Sequence, residues 1–196
     1  MDFSLEGERI GLRPTCETDA GGLYPWVHQR PDVLRWVCWS GPESLASYAE
    51  SLAVPPAEQL QGGELRLTIV GLDLREPLGT VSLRPRPGPA FDLGVWLAEP
   101  ARGAGRGREA VALAARLAFE RMGATGVTAT VFCGNEPARA LVESLGFQLV
   151  TTVRGMHRTR GACATTEPVD EWQFALTARG WKRNLVKNES DGTSNP

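Results

Sequence analysis

The segment Ala101-Arg102-Gly103-Ala104-Gly105-Arg106-Gly107-Arg108 lies where a predicted strand passes into a predicted helix. It holds three arginines and three glycines within eight residues. Unpaired N–H groups give a helix start a partial positive charge, so each arginine there is disfavoured by roughly 0.3–1 kcal/mol. A bound anion would reverse this cost, because glycine-rich backbone and a helix start both hold negative charge. The segment therefore predicts a phosphate site.

Two common phosphate-binding loops do not fit this segment. A P-loop needs G-x-x-x-x-G-K-[ST], and no Lys-Ser or Lys-Thr pair follows these glycines. A dinucleotide fingerprint needs G-x-G-x-x-G, but Arg108 stands at the third glycine's place and the next strand carries no acidic residue. The alternative to a binding site is a flexible surface loop with solvated arginines.

The periodicity on both sides of the segment predicts a mixture of strands and helices. Three strands at hairpin-like spacing, Leu65–Val70, Leu78–Leu83 and Phe91–Leu97, predict an antiparallel meander. A helix with one apolar face follows over Glu109–Met122. Before the meander we predict a strand over Glu8–Arg13 and two or three short helices between Glu17 and Ala53, a region that Pro55-Pro56 ends. The other predicted elements are a strand over Val127–Cys133, a helix capped by Asn135 and ended by Gly146, strands over Phe147–Val153 and Glu171–Leu176, and a polar loop from Arg154 to Asp170.

The bulk composition is that of an ordinary globular protein. The 196 residues are 42% hydrophobic and 22% charged, with a net charge of −2, which gives no reason to expect nucleic-acid or membrane affinity. We expect one domain over residues 1–183 and a disordered tail over residues 184–196.

Four cysteines without a CxxC pair and only two histidines predict no metal site. Without a signal peptide or a spanning apolar run, a cytoplasmic protein is expected.

Four motifs in order resemble the GNAT superfamily of N-acetyltransferases. Arg102-x-x-Gly105-x-Gly107 resembles its [Q/R]-x-x-G-x-[G/A] signature, and Asn135-x-x-Ala138 followed by Leu145-Gly146-Phe147 resembles its second motif. The strand Asp92-Leu93-Gly94-Val95-Trp96-Leu97 and the phrase Arg9-Ile10-Gly11-Leu12-Arg13-Pro14 are similar to the ribosomal-protein alanine acetyltransferase (RimJ/RimL-like) branch. The resemblance covers roughly residues 8 to 177.

This resemblance implies an α+β fold of the α/β sandwich type. Its central sheet would be mixed, mostly antiparallel and flanked by helices, and it would splay open at an acyl-CoA site. Acetyl-CoA would be the donor, with its pyrophosphate on the backbone of Gly103, Ala104, Gly105, Arg106 and Gly107, and with charge contacts from Arg102 and Arg106. The backbone of Val95 and Leu97 would pair with the pantetheine amides. Asn135 would reach the cofactor, although a plain helix cap accounts for it equally well.

The resemblance also implies a strand carboxylate at Asp92. Aminolysis of a thioester needs a neutral amine, so Asp92 would take the proton, directly or through water, or attract a cationic acceptor. A carboxylate at a strand-edge turn is the alternative. The superfamily's tyrosine acid would fall at Val142, so that mechanism is absent here. Ser144 and Cys133 are candidate substitutes, and no general acid is assigned.

The acceptor site is expected to come from residues 17–53 and the loop 154–170. Trp26, Trp36 and Trp39 are candidates to wall a pocket for an amine, with core packing as the alternative. His28 and His157 are interpreted as surface residues.

The predicted activity is acetyl transfer to a primary amine of a small molecule or a protein N-terminus, and a homodimer is compatible with it. The rival hypothesis is a non-catalytic acyl-CoA sensor. A nucleotide hydrolase or kinase is disfavoured, because no metal-binding carboxylate set is evident.

Overall fold

The computed structural model describes residues 1–37, 39–73, 75–156 and 168–184. Its strands are β1 (Leu5–Glu6), β2 (Ile10–Pro14), β3 (Leu65–Gly71), β4 (Pro77–Arg86), β5 (Ala90–Leu97), β6 (Gly126–Phe132), β7 (Gln148–Met156) and β8 (Val169–Thr177). Its helices are α1 (Asp19–Leu23), α2 (Pro31–Leu34), α3 (Leu45–Leu52), α4 (Pro56–Gln61), α5 (Arg106–Arg116), α6 (Glu136–Ser144) and α7 (178–184). Each described helix is too short or too polar to cross a membrane.

All eight strands form one sheet in the order β1-β2-β3-β4-β5-β6-β8-β7. The first five strands are antiparallel neighbours, which confirms the predicted meander. β5 and β6 are parallel, and helix α5 makes the crossover that such a pair needs. The sheet is therefore mixed and mostly antiparallel, as the α+β assignment requires.

The main hydrophobic core lies between one face of this sheet and helix α5. The apolar face of α5 supplies Ala110, Val111 and Ala114, and Leu117 follows directly after the helix; all four are fully buried. Alternate residues of the strands point to the same side because side chains on a strand alternate between faces. The strand residues in this core include Leu12, Leu67, Ile69, Val81, Leu83, Leu93, Val127 and Phe174, and Phe147 joins them from the position before β7.

The opposite face of the sheet, called here the acceptor face, is polar where it is buried. Thr68, Thr80, Ser82 and Asp92 lie on it and are each less than 10% exposed. The short helices α1 and α3 pack over part of this face, and together with α2 they hold a second apolar cluster. The members of that cluster are Ala20, Leu23, Val27, Val33, Tyr48 and Leu52.

Helix α5 begins at Arg106, three residues before the predicted start at Glu109. Gly105 precedes it in a left-handed conformation (φ 76°), and its carbonyl accepts the N–H of Glu109 at 3.0 Å. The apolar pattern begins only at Ala110, so periodicity alone placed the helix start too late. The end of the predicted helix is a π turn over Leu117–Arg121.

Further elements differ from the sequence predictions at their ends. β7 and β8 reach Met156 and Val169, so Arg154 and Asp170 lie in strands and not in the predicted polar loop. Helix α4, with Pro56 at its first position, was not predicted because Pro55-Pro56 was interpreted as a terminator. Helix α7 was missed as well, and its Asn184 donates to the carbonyl of Leu145 at 3.0 Å. Residues 157–167 and the tail from 185 lie outside the described residues, as do the predictions made for them.

Candidate functional site

β5 and β6 pair only at their first three residues and then diverge. The paired residues are Ala90 with Gly126, Phe91 with Val127, and Asp92 with Thr128. Beyond them β6 continues to pair with β8 as far as Phe132, while β5 continues to pair with β4 as far as Leu97. The opening between β5 after Asp92 and β6 after Thr128, called here the wedge, confirms the expected splay of the sheet.

The backbone of β5 presents free hydrogen-bonding groups to the wedge. The β4–β5 register runs without a shift, and the N–H of Ala98 donates to the carbonyl of Leu78 at 2.8 Å. Both backbone groups of a residue in an antiparallel ladder point to one neighbour, and successive residues alternate. The main-chain groups of Leu93, Val95 and Leu97 therefore face the wedge. The Leu97 carbonyl accepts from Arg102 Nε at 3.1 Å, which leaves the N–H of Leu97 and both groups of Val95 for a ligand. An extended chain with amide groups can pair with such an edge.

The loop after β5 lies at the open end of the wedge. Gly103 and Gly105 have φ values of 83° and 76°, a left-handed conformation that favours glycine. A Cβ atom on either glycine would meet no atom within 4 Å, and both residues are exposed, as is Ala104. The loop thus brings backbone N–H groups and the start of α5 to a surface open to an anion.

Gly107 has a different role, because it lies inside the first turn of α5. A Cβ there would lie 3.1 Å from Leu141 Cδ1 of α6 and 3.3 Å from Leu97 Cδ1. Both distances are tighter than ordinary van der Waals contact, so the neighbours would have to move. Gly107 lets α5, α6 and the end of β5 approach one another beside the wedge.

The two arginines predicted to contact the cofactor differ in their surroundings. Arg102 donates from Nε to the carbonyl of Leu97 at 3.1 Å, and its Nη1 lies 3.7 Å from Asp32. Arg106 is the first residue of α5, and its buried Nε has no hydrogen-bond partner among the described residues. Both arginines therefore lie where the loop passes into α5, and the Nε of Arg106 is a donor without a partner among the described residues.

Asn135 caps helix α6 at the far side of the wedge. Its Oδ1 accepts the N–H of Ala138 at 3.3 Å, the contact expected of a helix cap. Its amide nitrogen donates to none of the described residues. Because the cap uses only the Oδ1 oxygen, the amide nitrogen of Asn135 is left for a cofactor. The structure is therefore compatible with both interpretations made from the sequence, a helix cap and a cofactor contact.

Asp92 lies at the vertex of the wedge, on the acceptor face. Its side chain is 7% exposed, accepts from Arg84 Nη1 at 2.9 Å and from Thr128 Oγ1 at 3.0 Å, and lies 3.6 Å from Arg86. These donors hold the carboxylate in one orientation. Sequence reasoning missed Arg84, although the hairpin register that places it opposite Asp92 was a usable signal.

The three candidate tryptophans have three different sets of neighbours. Trp36 lies at the wedge, with its Cη2 3.8 Å from the Cβ position of Gly134, the residue that precedes Asn135. Trp39 packs on Tyr48, with ring centroids 5.9 Å apart, in the second apolar cluster. Trp26 lines a cavity of about 300 Å³ with Pro77 and Pro100. Of the three indoles, Trp36 is the one that the structure brings to the wedge.

The candidate proton donors are not arranged around Asp92. Val142, at the tyrosine position of the superfamily, is buried in the main core. Ser144 donates to the carbonyl of Leu141 at 2.7 Å on the surface of α6. Cys133 is a free thiol at the end of β6, and burial together with the nearby Asp170 raises its pKa. The described residues contain no cluster of three or more metal-ligating side chains.

Comparison with known proteins gives both a family and a set of similar folds. The family model for the acetyltransferase (GNAT) domain matches residues 9–148. RimJ from Mycobacterium smegmatis, solved with CoA-disulfide, is 22% identical over 92% of this chain and 89% of its own, with a TM-score of 0.76. A ribosomal-protein-S5-alanine acetyltransferase from Vibrio fischeri is 19% identical over 91% and 98%, with a TM-score of 0.74. A GCN5-related N-acetyltransferase from Brucella melitensis is 16% identical over 95% and 84%, with a TM-score of 0.75.

These solved structures establish a likeness of fold, and no curated protein sequence matches this chain significantly. The family match is of a different kind, because it covers well over half of the sequence. It includes β5 with Asp92, the loop Arg102–Gly107 and the cap Asn135, which are the residues that surround the wedge. The chain belongs to the GNAT acetyltransferase family.

Proposed function

We propose that this chain is an N-acetyltransferase of the RimJ/RimL-like branch that transfers the acetyl group of acetyl-CoA directly to a primary amine. The acceptor is a small molecule or a protein N-terminus. The observation that carries the proposal is the wedge, whose β5 edge offers the main-chain groups of Val95 and the N–H of Leu97 to an extended ligand. The similar fold of a ribosomal-protein-S5-alanine acetyltransferase supports a protein as one acceptor, which would react at its N-terminus, and with it a cytoplasmic reaction.

Acetyl-CoA fits this site from both of its ends. The pyrophosphate would lie on the backbone of Gly103 to Gly107, where the start of α5 favours negative charge. Arg102 and Arg106 would add charge-assisted hydrogen bonds, with Arg102 exchanging its contact to Asp32 for a phosphate. From Leu97 back to Asp92 the strand covers about 16 Å at ~3.3 Å per residue. The pantetheine arm would follow this edge and bring the thioester toward the vertex of the wedge.

The chain's own residues would then assist attack by the amine. An N–H of β5 that faces the wedge can donate to the thioester oxygen as negative charge develops on it. The acceptor would enter from the acceptor face, where Asp92, Gly94 and Trp96 point. Two donors already occupy the Asp92 carboxylate, which favours an electrostatic role in attracting and orienting the ammonium form over direct proton abstraction. The ammonium group would lose its proton to solvent water, and the neutral amine would then attack the thioester carbon and displace CoA as its thiolate.

A screen of acceptors tests the proposal directly. Thiol release from acetyl-CoA would be followed across primary amines and N-terminal peptides, with acetyl-CoA affinity measured by calorimetry on the same preparation. We expect release with at least one acceptor class. Tight acetyl-CoA binding without turnover of any acceptor would favour the acyl-CoA sensor instead. Val142 at the tyrosine position is the observation that keeps this second candidate in view.

Asp92→Asn is expected to slow acetyl transfer without weakening donor binding. The substitution keeps the shape of the side chain but removes the charge at the vertex, so kcat should fall about 10- to 100-fold. The dissociation constant for acetyl-CoA should stay within about twofold, because Asp92 faces the acceptor side. Steady-state kinetics and calorimetry check the two parts, with the exposed Asp73→Asn as the control. Wild-type kcat across the pH range would remove Asp92 from the reaction.

A further inference from the structure

We infer that Arg84 selects acceptors that carry a carboxylate next to the reacting amine. This inference rests on the proposed function and names the substrate class of the same site. It starts from the position of the Arg84 side chain, which lies on the acceptor face beside the wedge. Arg84 in β4 stands opposite Asp92 in β5, two residue pairs from Ser82 and Gly94 and on the same face of the sheet.

The guanidinium group of Arg84 covers the middle of β5. A Cβ placed on Gly94 would lie 3.0 Å from Arg84 Nη2 and 2.8 Å from Ser82 Oγ. The glycine therefore leaves the space that a side chain would fill, and Arg84 occupies it. The residue after Gly94 is Val95, whose main chain faces the wedge. A positive group thus lies close to the path of an acceptor that approaches the thioester.

Two carboxylates hold this guanidinium in place, that of Asp92 in β5 and that of Glu64, the residue before β3. Nε donates to Glu64 Oε1 at 3.0 Å, and Nη1 donates to Asp92 Oδ2 at 2.9 Å. Arginine has five N–H donors in a rigid plane, so fixing Nε and Nη1 also fixes the direction of Nη2. Nη2 donates to none of the described residues, and the side chain is 44% exposed. The two N–H groups of Nη2 are therefore fixed in direction, lie on a partly exposed side chain and remain available to a ligand.

The charge around Arg84 favours an anion. Arg66, Arg84 and Arg86 face the two carboxylates of Glu64 and Asp92, which leaves one positive charge in excess. The Arg86 side chain is 53% exposed. The nearest acid across the wedge on this face is the buried Glu171, opposite Phe132. Phe132 lies four residues, or about 13 Å, further along β6 than Thr128. Salt solution screens charges over about this distance, so Glu171 does not cancel the excess positive charge around Arg84.

A carboxylate matches this arrangement better than a second cation does. Its two oxygens can accept charge-assisted hydrogen bonds from Nη2, while the ammonium group of the same molecule is attracted toward Asp92. Free α-amino acids and peptides with an acidic second residue both present this pair of charges at short range. Polyamines present only positive charges and would meet repulsion from the arginines.

Matched pairs of acceptors test the inference in wild type and in Arg84→Gln. One pair is alanine with alaninamide, and the other is an Ala-Asp peptide with its Ala-Asn counterpart, which separates a free amino acid from a peptide. We expect the acidic member of at least one pair to have a kcat/KM about 10- to 100-fold higher in wild type. Arg84→Gln should reduce that ratio to within about threefold, and Arg84→Lys should retain part of it.

The ratio of the two kcat/KM values within a pair separates acceptor selection from a merely structural effect, because damage to Asp92 or to the fold would slow both members of the pair. Arg116→Gln, a surface charge on α5 paired with Glu120, should leave the ratio unchanged. Equal kcat/KM values within each pair in wild type, or a ratio that Arg84→Gln leaves unchanged, would overturn the inference while acetyl transfer itself stands. Acetyl-CoA binding without turnover of any acceptor would overturn the proposed function and this inference with it.

Discussion

Replacing Asp19 with alanine is expected to lower the free energy of unfolding by about 3–5 kcal/mol. Asp19 opens α1 and is 2% exposed beneath the helices that cover the acceptor face. Its carboxylate accepts from both Nη atoms of Arg13, from Thr68 Oγ1 at 2.6 Å and from the N–H of Cys16 at 3.0 Å. Removing it leaves the buried Thr68 hydroxyl and the partly buried Cys16 N–H without this acceptor, and the Arg13 guanidinium without its counter-charge.

The pH dependence of stability provides a second readout for Asp19. Burial alone would raise its pKa, but the hydrogen bonds from Arg13, Thr68 and Cys16 outweigh burial and hold the pKa below its ordinary value. A carboxyl group with a lowered pKa stabilises the fold above its unfolded pKa, about 3.9. That contribution is lost as the pH falls from there through the folded pKa. The stability difference between wild type and Asp19→Asn should therefore shrink below about pH 4.

Urea unfolding at several pH values measures both effects. Glu17→Ala is the matched control, because it removes an exposed carboxylate two residues away and should change stability by no more than about 0.5 kcal/mol. If Asp19→Ala costs no more than Glu17→Ala, the buried ion pair does not anchor α1 to β2 and β3. A stability difference that stays constant through the acid range would argue against the lowered pKa.

The sequence predicted the parts of this fold that depend on local periodicity. Alternation and turn spacing were sufficient for the β3–β5 meander, and the glycine-rich loop together with the family resemblance located the wedge. Helix ends were less predictable, because they depend on single backbone conformations. After Gly105, α5 begins at Arg106, four residues before its apolar pattern begins at Ala110. Pro56 starts a helix where Pro55-Pro56 was interpreted as the end of a helical region.

The parts of the site that were missed depend on contacts between strands. Arg84 reaches across Gly94 because β4 and β5 pair in a specific register, and the contact can be inferred only once that register is worked out from the hairpin. Asp19 is likewise an unremarkable acidic residue in the sequence, and only the packing of α1 on β2 and β3 buries it. Side chains aligned by distant pairing decide the acceptor site, whereas backbone and glycines close in sequence form the donor site. The donor was therefore far easier to predict than the acceptor.

Reversing both loop arginines, as Arg102→Glu with Arg106→Glu, is expected to weaken CoA binding about 100-fold or more. Each substitution removes a charge-assisted contact and places an acid beside the expected pyrophosphate. The unpartnered Nε of Arg106 and the exposed glycine backbone are the features that point to an anion there. An acid in the first turn of α5 should itself favour the helix, so the fold should persist in the variant.

Calorimetry with two ligands separates a phosphate site from general damage to the wedge. Pantetheine lacks the pyrophosphate and should bind more weakly than CoA. Its affinity should be the same in the double variant and in wild type. Arg108→Glu is the control for the loss of positive charge, because Arg108 is exposed on α5 and is not assigned to the cofactor. It should retain CoA affinity within a few fold, since exposed charges act weakly through salt solution. Unchanged CoA affinity in the double variant, or a matching loss for pantetheine, would mean that the arginine and glycine loop does not bind the pyrophosphate.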